Sequence, residues 1–308
     1  MCYSAQVIQT VKKLHRQLGI RLDYLEAEKL FMRRLDDPTI NISRGFEANF
    51  EEPADEQGRR IRAAIDEHRR RLAARLEQDL FSQKTRFVNA ERSLTEKETK
   101  KAREELRIAG RKIETITQKL SDLRRNEPNP EDNRIYPQVY AGVVIRKDGE
   151  NVLTPMRYFC RPAGKPAFYD KKFPGLYNAR RDNLEKFWNE QFGHHHALMV
   201  AESFYENVQS PGRQNVVLQF TPQPPQNMLI ACLYSHWHGA GQPDVRGFAA
   251  ITDEPPPEVA AAGHDRCVIN LKPDHVDAWL TPEGRSPQAL QAMLSDRPVS
   301  VFQHSLAA

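Results

Sequence analysis

The feature that most constrains this chain is a sustained heptad. Ala102, Leu106, Ala109, Ile113, Ile116, Leu120 and Leu123 recur at alternating steps of four and three, with charged residues between them. That spacing keeps one apolar seam on an α-helix and has no counterpart in a strand. Thr95 and Glu98 offer a capping box at its start. Upstream, Ile61, Ile65, Leu72, Leu76 and Leu80 mark a second amphipathic helix. A join near Phe87 to Ser93 would make the two an antiparallel hairpin. An earlier helix is expected from Val7 to Leu35, stopping before Pro38.

The composition then changes. Residues 5–127 are rich in Arg, Glu and Lys and poor in Pro. After the turn signal Asn126 to Asn133 the chain becomes rich in Pro, aromatics and β-branched runs. VYAGVVI, NVLTPMRYF, ALMVAESFYE, NVVLQF, MLIACLY, GFAAIT and CVINL read as strands. Short helices are expected over Asp182 to Gln191, Pro273 to Leu280 and Pro287 to Leu294. The pattern predicts an α+β protein with a β-rich core and peripheral helices. Its expected divisions are residues 1–4 as a first strand of the core, 5–127 as a helical insertion, and 134–308 as the rest of the core.

The chain has 308 residues, 39% hydrophobic and 28% charged, with a net charge of +4. That permits a nucleic-acid partner without requiring one. No apolar run reaches about 18 residues, and no secretory signal opens the sequence, so no membrane partner and a cytoplasmic location are expected. Cys160, Cys232 and Cys267 sit in apolar contexts and read as core thiols. His194, His195, His196, His236 and His238 invite a metal reading, but no carboxylate or cysteine stands beside them at regular ligand spacing. They are read as unligated, and no cofactor is expected.

Cys2 is chemically different from the other thiols. Removal of Met1 would leave an α-amine, with pKa about 7.7–8.0, and a thiol near 8.5 on adjacent carbons. Both are nucleophilic near neutrality. Such a 1,2-aminothiol condenses with an aldehyde to a Schiff base and closes to a thiazolidine. An opened abasic sugar in DNA is such an aldehyde.

Further motifs follow in order: Asn178-Ala179-Arg180 in FPGLYNARRDNL, Glu206 in ALMVAESFYENV, and His264-Asp265-Arg266 in GHDRCVINL. With Met1-Cys2, this series resembles the SRAP family (SOS response-associated peptidase, or abasic-site processing, proteins), which carry N-A-R-x-E-T, A-x-G-F/W-Y/F-E-W and H-D-R-x-P segments. RIYPQVYAGVVI and LTPMRYF resemble that family's Y-N-I-A-P-T and V-P-M-R-W-G. The resemblance implies an SRAP-like core of barrel-like mixed sheets carrying an inserted hairpin. It also implies binding of single-stranded DNA with abasic sites, a covalent crosslink through Cys2, AP-lyase chemistry and self-processing peptidase activity.

The resemblance implies site roles as well. Glu206 and His264 would move protons, Asn178 would orient Cys2 and the opened sugar, and Arg180 and Arg266 would hold phosphates. Phe168, Tyr169 and Phe173, beside Lys171 and Lys172, are candidates for stacking bases and binding the strand. The chain departs from the family pattern at Tyr3-Ser4, where Gly-Arg is usual, and at Asn207, where Trp is usual. Val268 stands in place of Pro, and about 120 helical residues separate Cys2 from the rest. An N-terminal-nucleophile cysteine amidohydrolase and a non-catalytic helical module are the rival readings. The hairpin could serve a protein partner or self-association.

Overall fold

The computed structural model describes residues 3–209 and 215–307. The chain opens on strand β1 (Ser4–Val7), then α1 (Val11–Leu18), β2 (Arg21–Leu22), α2 (Tyr24–Asp36) and α3 (Arg44–Glu47). The single helix expected over Val7 to Leu35 is therefore divided. Gly19, at φ 59°, ends α1 in a left-handed cap with its N–H on the His15 carbonyl, and Asp23 caps α2 by accepting from the Glu26 N–H at 3.4 Å.

Two long helices follow, α4 (Glu56–Glu96) and α5 (Lys100–Arg124). The heptad lies on α5, where Ala102, Ala109 and Leu120 are buried, and α4 contributes the buried Ala90. The join comes later than Phe87 to Ser93, at residues 97–99. Thr99, not Thr95, caps α5 by accepting from the Ala102 N–H at 3.1 Å. Thr95 instead closes the last turn of α4, donating to the Glu91 carbonyl. With 41 residues, α4 is about 60 Å long, so much of the hairpin stands away from the core.

The second half supplies β3 (Arg134–Ile135), β4 (Tyr140–Lys147), β5 (Glu150–Arg157), α6 (Tyr169–Lys172), β6 (Asn178–Arg180), β7 (His196–Gln209), β8 (Asn215–Gln223), β9 (Met228–Gly239) and β10 (Gln242–Asp253). After these come α7 (Pro257–Ala261), β11 (Cys267–Val268), α8 (Val276–Leu280), α9 (Pro287–Ser295) and β12 (Val301–Leu306). The α+β expectation holds. The α-helix expected over Asp182 to Gln191 is replaced by one 3-10 turn at Arg181–Asn183 and further turns.

Among the described residues, twelve strands form one mixed sheet. Strands β4, β5, β10, β9 and β7 close on one another as a ring of five. The contact of β5 with β10 is narrow, one parallel pair at Gly247 and Arg157. A Cβ on Gly247 would stand 2.2 Å from the Phe159 carbonyl oxygen, so only glycine fits there. Strand β1 runs antiparallel between β7 and β3, with all four residues buried.

One apolar core joins the two halves. Phe31, Phe46, Phe50, Ile61 and Ile65 from the helices share it with Leu153, Leu198, Phe204 and Ile230 from the sheet. Inside it lies an ion cluster. Arg34 Nη1 meets Glu47 Oε1 at 2.6 Å, and Arg69 Nη2 meets Glu47 Oε2 at 2.5 Å. Burial and the Arg34 charge push His68 down to about 4. His196 is also held neutral. It accepts the Gly193 N–H on Nε2 at 2.9 Å, and Nδ1 lies 2.9 Å from the Trp279 carbonyl. Burial pushes it down to about 3.

Two outcomes test this packing. Glu47→Ala strands the buried Arg34 beside Arg69 and should lower unfolding stability by about 3–5 kcal/mol in denaturant titration. His196 has a folded pKa below its unfolded value, so its contribution is full above about pH 6.5. That contribution is lost as pH falls toward about 3. Stability measured over that window should drop more steeply in the wild type than in His196→Asn, which keeps a donor for Trp279 but cannot take up the proton.

Candidate active site

The site lies toward the far end of β7. Alternation along this strand turns Glu206 inward, with its side chain 0% exposed. On one flank β8 pairs Leu218 with Glu206; on the other, β1 pairs Ser4 with Tyr205. The Tyr3 N–H continues that ladder, donating to the Tyr205 carbonyl at 3.2 Å. Cys2 itself lies outside the described residues.

His264 arrives from the loop between α7 and β11. Its Nε2 is 3.2 Å from Glu206 Oε2, and its side chain is 9% exposed. Nδ1 sits 2.9 Å from the Arg266 carbonyl. Donation from Nδ1–H to that carbonyl leaves the Nε2 lone pair facing the carboxyl group. Burial raises the Glu206 pKa well above the ordinary carboxyl range. The Asp265 charge adds to this, while the Tyr3 backbone N–H opposes it. Burial also lowers the His264 pKa, against the Arg266 carbonyl and Asp265. Both shifts favour the uncharged forms, a carboxylic acid and a neutral imidazole.

Asn178 and Arg180 stand on β6, which runs parallel to β10 with Asn178 beside Ala250 and Arg180 beside Thr252. On β11, Val268 pairs with the same Thr252, so the two motif segments meet on one strand of the sheet. Asn178 is 6% exposed. The charges link them too: the pKa of Arg180 is raised first by its bond to Asp182 and also by Asp265, the residue that acts on Glu206. Arg180 is exposed and binds Asp182 with Nε at 3.0 Å and Nη2 at 2.5 Å. Arg266 lies close enough to lower the Asp182 pKa as well.

The loop before β6 carries the proposed strand-binding residues. Lys171 and Lys172 are exposed at the end of α6, and Phe168 is 57% exposed. Tyr169 is less available, because its ring packs on Phe173 at 4.8 Å, which in turn meets Phe187 at 6.3 Å. Asp170 anchors the loop to Arg157 and Arg161 at 2.9 and 2.6 Å.

One residue near the site was not singled out by motif reading. Arg134, buried on β3, donates from Nε to Ser4 Oγ at 3.3 Å, and its guanidinium stands 3.8 Å from the Tyr205 ring centroid and 5.1 Å from that of Tyr136. Tyr136 also meets Tyr3 edge to face at 5.8 Å. The aromatic and basic residues of RIYPQVY were the available signal. Cys160, Cys232 and Cys267 are buried as expected, and burial raises all three thiol pKa values. Among the histidines, His196 is committed to backbone partners, whereas His236 and His238 gather with Asp244. Spacing alone did not show this third group, because a hairpin turn brings it back. No helix among the described residues is long and apolar enough to cross a membrane.

Comparison with known proteins adds to this geometry. The solved structures similar to the chain include a Bordetella bronchiseptica protein at 17% identity and TM-score 0.48, covering 57% of this chain and 87% of that one. A Bacteroides thetaiotaomicron protein shows 13% identity and TM-score 0.48, covering 57% and 78%. A phage-related protein, also from Bordetella bronchiseptica, shows 19% identity and TM-score 0.45, covering 57% and 81%. No curated protein matches the chain. A family match described as "SOS response associated peptidase (SRAP)" spans residues 92–305. That span takes in Asn178, Glu206 and His264 and covers well over half of the sequence, so the chain belongs to the SRAP family and shares its general association with DNA damage.

Proposed function

We propose that this protein captures abasic sites in single-stranded DNA as a thiazolidine on Cys2, exposed by removal of Met1. The observation that carries the reading is the Glu206–His264 pair, 3.2 Å apart, beside the ladder that fixes Tyr3. The Tyr3 N–H bonds the Tyr205 carbonyl, next to Glu206, and Tyr3 follows Cys2 directly in the sequence.

The reaction follows from the groups present. The α-amine nitrogen attacks C1′ of the opened sugar, and the carbinolamine loses water to give the Schiff base. The thiol sulfur then adds to the same carbon of the protonated Schiff base, and the thiol proton returns to the Glu206 carboxylate. One water is released overall. Glu206, neutral at rest, supplies the proton that water needs in order to leave, and His264 relays it. Asn178 has both a donor and an acceptor for the sugar hydroxyls. Arg180, Arg266, Lys171 and Lys172 supply positive charge for flanking phosphates, and Phe168 and Tyr169 supply rings for unstacked bases. AP-lyase activity would use the same Schiff base, by loss of the 3′ phosphate in β-elimination. Self-removal of Met1 would use Cys2 as a peptidase nucleophile.

Met-less protein incubated with uracil-excised single-stranded DNA should form a heat-stable crosslink that Cys2→Ala abolishes. A wild type that forms no crosslink overturns the reading, and glutamine hydrolysis without a crosslink would instead support an amidohydrolase. The pH profile tests Glu206 separately. The rate should rise as the amine loses its proton and fall as pH passes the raised Glu206 pKa, where the acid form is lost. Glu206→Gln should lower the rate by about 100-fold and remove the alkaline fall. A variant that keeps the wild-type rate and profile would exclude Glu206 as the acid.

A further inference from the structure

The β9–β10 hairpin carries a second cluster, on residues that the proposed crosslink does not use. His236 and His238 are two apart on β9, so the pleat sends both imidazoles to one face; their ring centroids are 3.9 Å apart. Across the hairpin Arg246 pairs with His236 and Val245 with Trp237, but the next pair is Gln242 with Gly239. The register shift between Gln242 and Val245 lets Asp244 turn back over the two rings. Asp244 Oδ1 lies 2.8 Å from His238 Nδ1, and Oδ2 lies 3.7 Å from His236 Nε2. One ligand atom from each of the three groups falls within 4.8 Å of the others.

These separations suit a small divalent ion. With Zn–N and Zn–O bonds of about 2.0–2.2 Å, two ligands of a tetrahedral ion stand about 3.4 Å apart. One Asp244 oxygen lies 2.8 Å from His238 and the other 3.7 Å from His236, so the carboxylate reaches both rings near that spacing. Two imidazoles and one carboxylate are a set that first-row transition ions accept with one position left open. Mg2+ and Ca2+ prefer all-oxygen shells and fit poorly.

The surroundings hold the third ligand in place. Arg33 on α2 donates from Nη1 to the Asp244 carbonyl at 2.6 Å and from Nη2 to the Tyr140 hydroxyl at 2.9 Å, pinning the irregular stretch from below. The Arg246 charge, which would oppose a cation, is shared with Glu26 at 3.5 Å. A cavity of about 170 Å³ bordered by His236, Asp244, Lys29 and Tyr140 opens beside the cluster and gives the fourth position room. Without an ion, the same groups form an ordinary partly exposed His–Asp network, and the experiment must separate the two.

We infer that His236, His238 and Asp244 form a three-ligand site for a first-row divalent transition ion such as Zn2+, with the fourth position open to water or an exogenous ligand. The site is independent of Cys2 and of the crosslink chemistry. The test uses untagged full-length protein carrying Cys2→Ala, because the amine and thiol of Cys2 could themselves chelate zinc. Equilibrium dialysis against Zn2+ should retain one equivalent, and Co2+ should give the intense visible bands of a four-coordinate ion. Both signals should vanish in His236→Ala/His238→Ala and weaken by about tenfold or more in Asp244→Asn. All three side chains are partly exposed, so these variants should unfold at the parent temperature in the absence of metal. The inference is overturned if the Cys2→Ala protein retains no ion, or if its equivalent survives loss of both histidines.

Discussion

The structure depends on a four-residue strand. The first residues of most chains fray unless something ties them down. Here β1 is tied on both edges, to β7 through Ser4, Ala5, Gln6 and Val7 and to β3 through Ala5 and Gln6. Arg134 adds a side-chain anchor at Ser4, and Gln6 Nε2 donates to the Pro130 carbonyl at 2.6 Å. A shift of one residue would turn each buried side chain to the opposite face. The register of β1 is therefore strongly specified, and with it the position of Tyr3, whose N–H bonds the Tyr205 carbonyl. Glu206 is one residue beyond Tyr205, the last β7 residue paired with β1, so the register of β1 bears directly on the site.

That constraint also explains how more than a hundred residues can intervene between β1 and β3. Helix α4 carries the chain outward, and the antiparallel α5 carries it back over much of the same distance. At the return, Arg44, just before the outward leg, donates to the carbonyls of Asp122 and Arg125. Arg125 in turn pairs with Asp132, next to β3. The excursion begins and ends within one polar cluster, so it leaves the β1–β3 pairing undisturbed. The buried Arg34–Glu47 pair, with the half-buried Arg69 on the second Glu47 oxygen, ties the base of the outward helix to α2 and α3. Beyond that base, α4 buries only Ala90, and the hairpin is held by its own seam and by surface ion pairs such as Arg86–Glu105.

The parts of the fold legible in the sequence were those with a strong period. The heptad of α5 and the apolar runs of β4, β5, β7, β8, β9 and β10 each signal their own structure. The ends were less legible, because they depend on single capping contacts. Thr95 and Thr99 are equivalent as letters, and only the chain's direction after Lys97 decides that Thr99 caps. Strand β1 has too few residues to show a period, and its identity comes from partners about 130 and 200 positions away. The same limit hid Arg134, whose value lies in stacking between Tyr136 and Tyr205 rather than in any motif. It also hid Asp244, which reaches His236 and His238 only because the hairpin slips register. The motif residues Glu206 and His264 were legible by resemblance, but their contact and its neutral state come from burial, which no local pattern reports.

Burial of Glu206 has a consequence for how the proposed chemistry would run. A carboxyl group with no exposure, 3.2 Å from an imidazole that burial also shifts toward its neutral form, is biased toward the protonated form, because ionising it costs hydration. It is thus loaded as an acid before substrate arrives. Once a carbinolamine loses water nearby, the product is a positively charged Schiff base, and a cation at short range favours the carboxylate. The charge that would be unfavourable in the empty site is then compensated by the intermediate. The proton leaves with the water, and the negative charge remains where it stabilises the iminium until sulfur adds. Closure of the ring removes the positive charge and returns the site to conditions that favour reprotonation. One buried carboxyl group therefore needs no external reset to act first as a donor and then as a counter-ion, and an exposed carboxylate in the same place would be ionised too early to do the first of these.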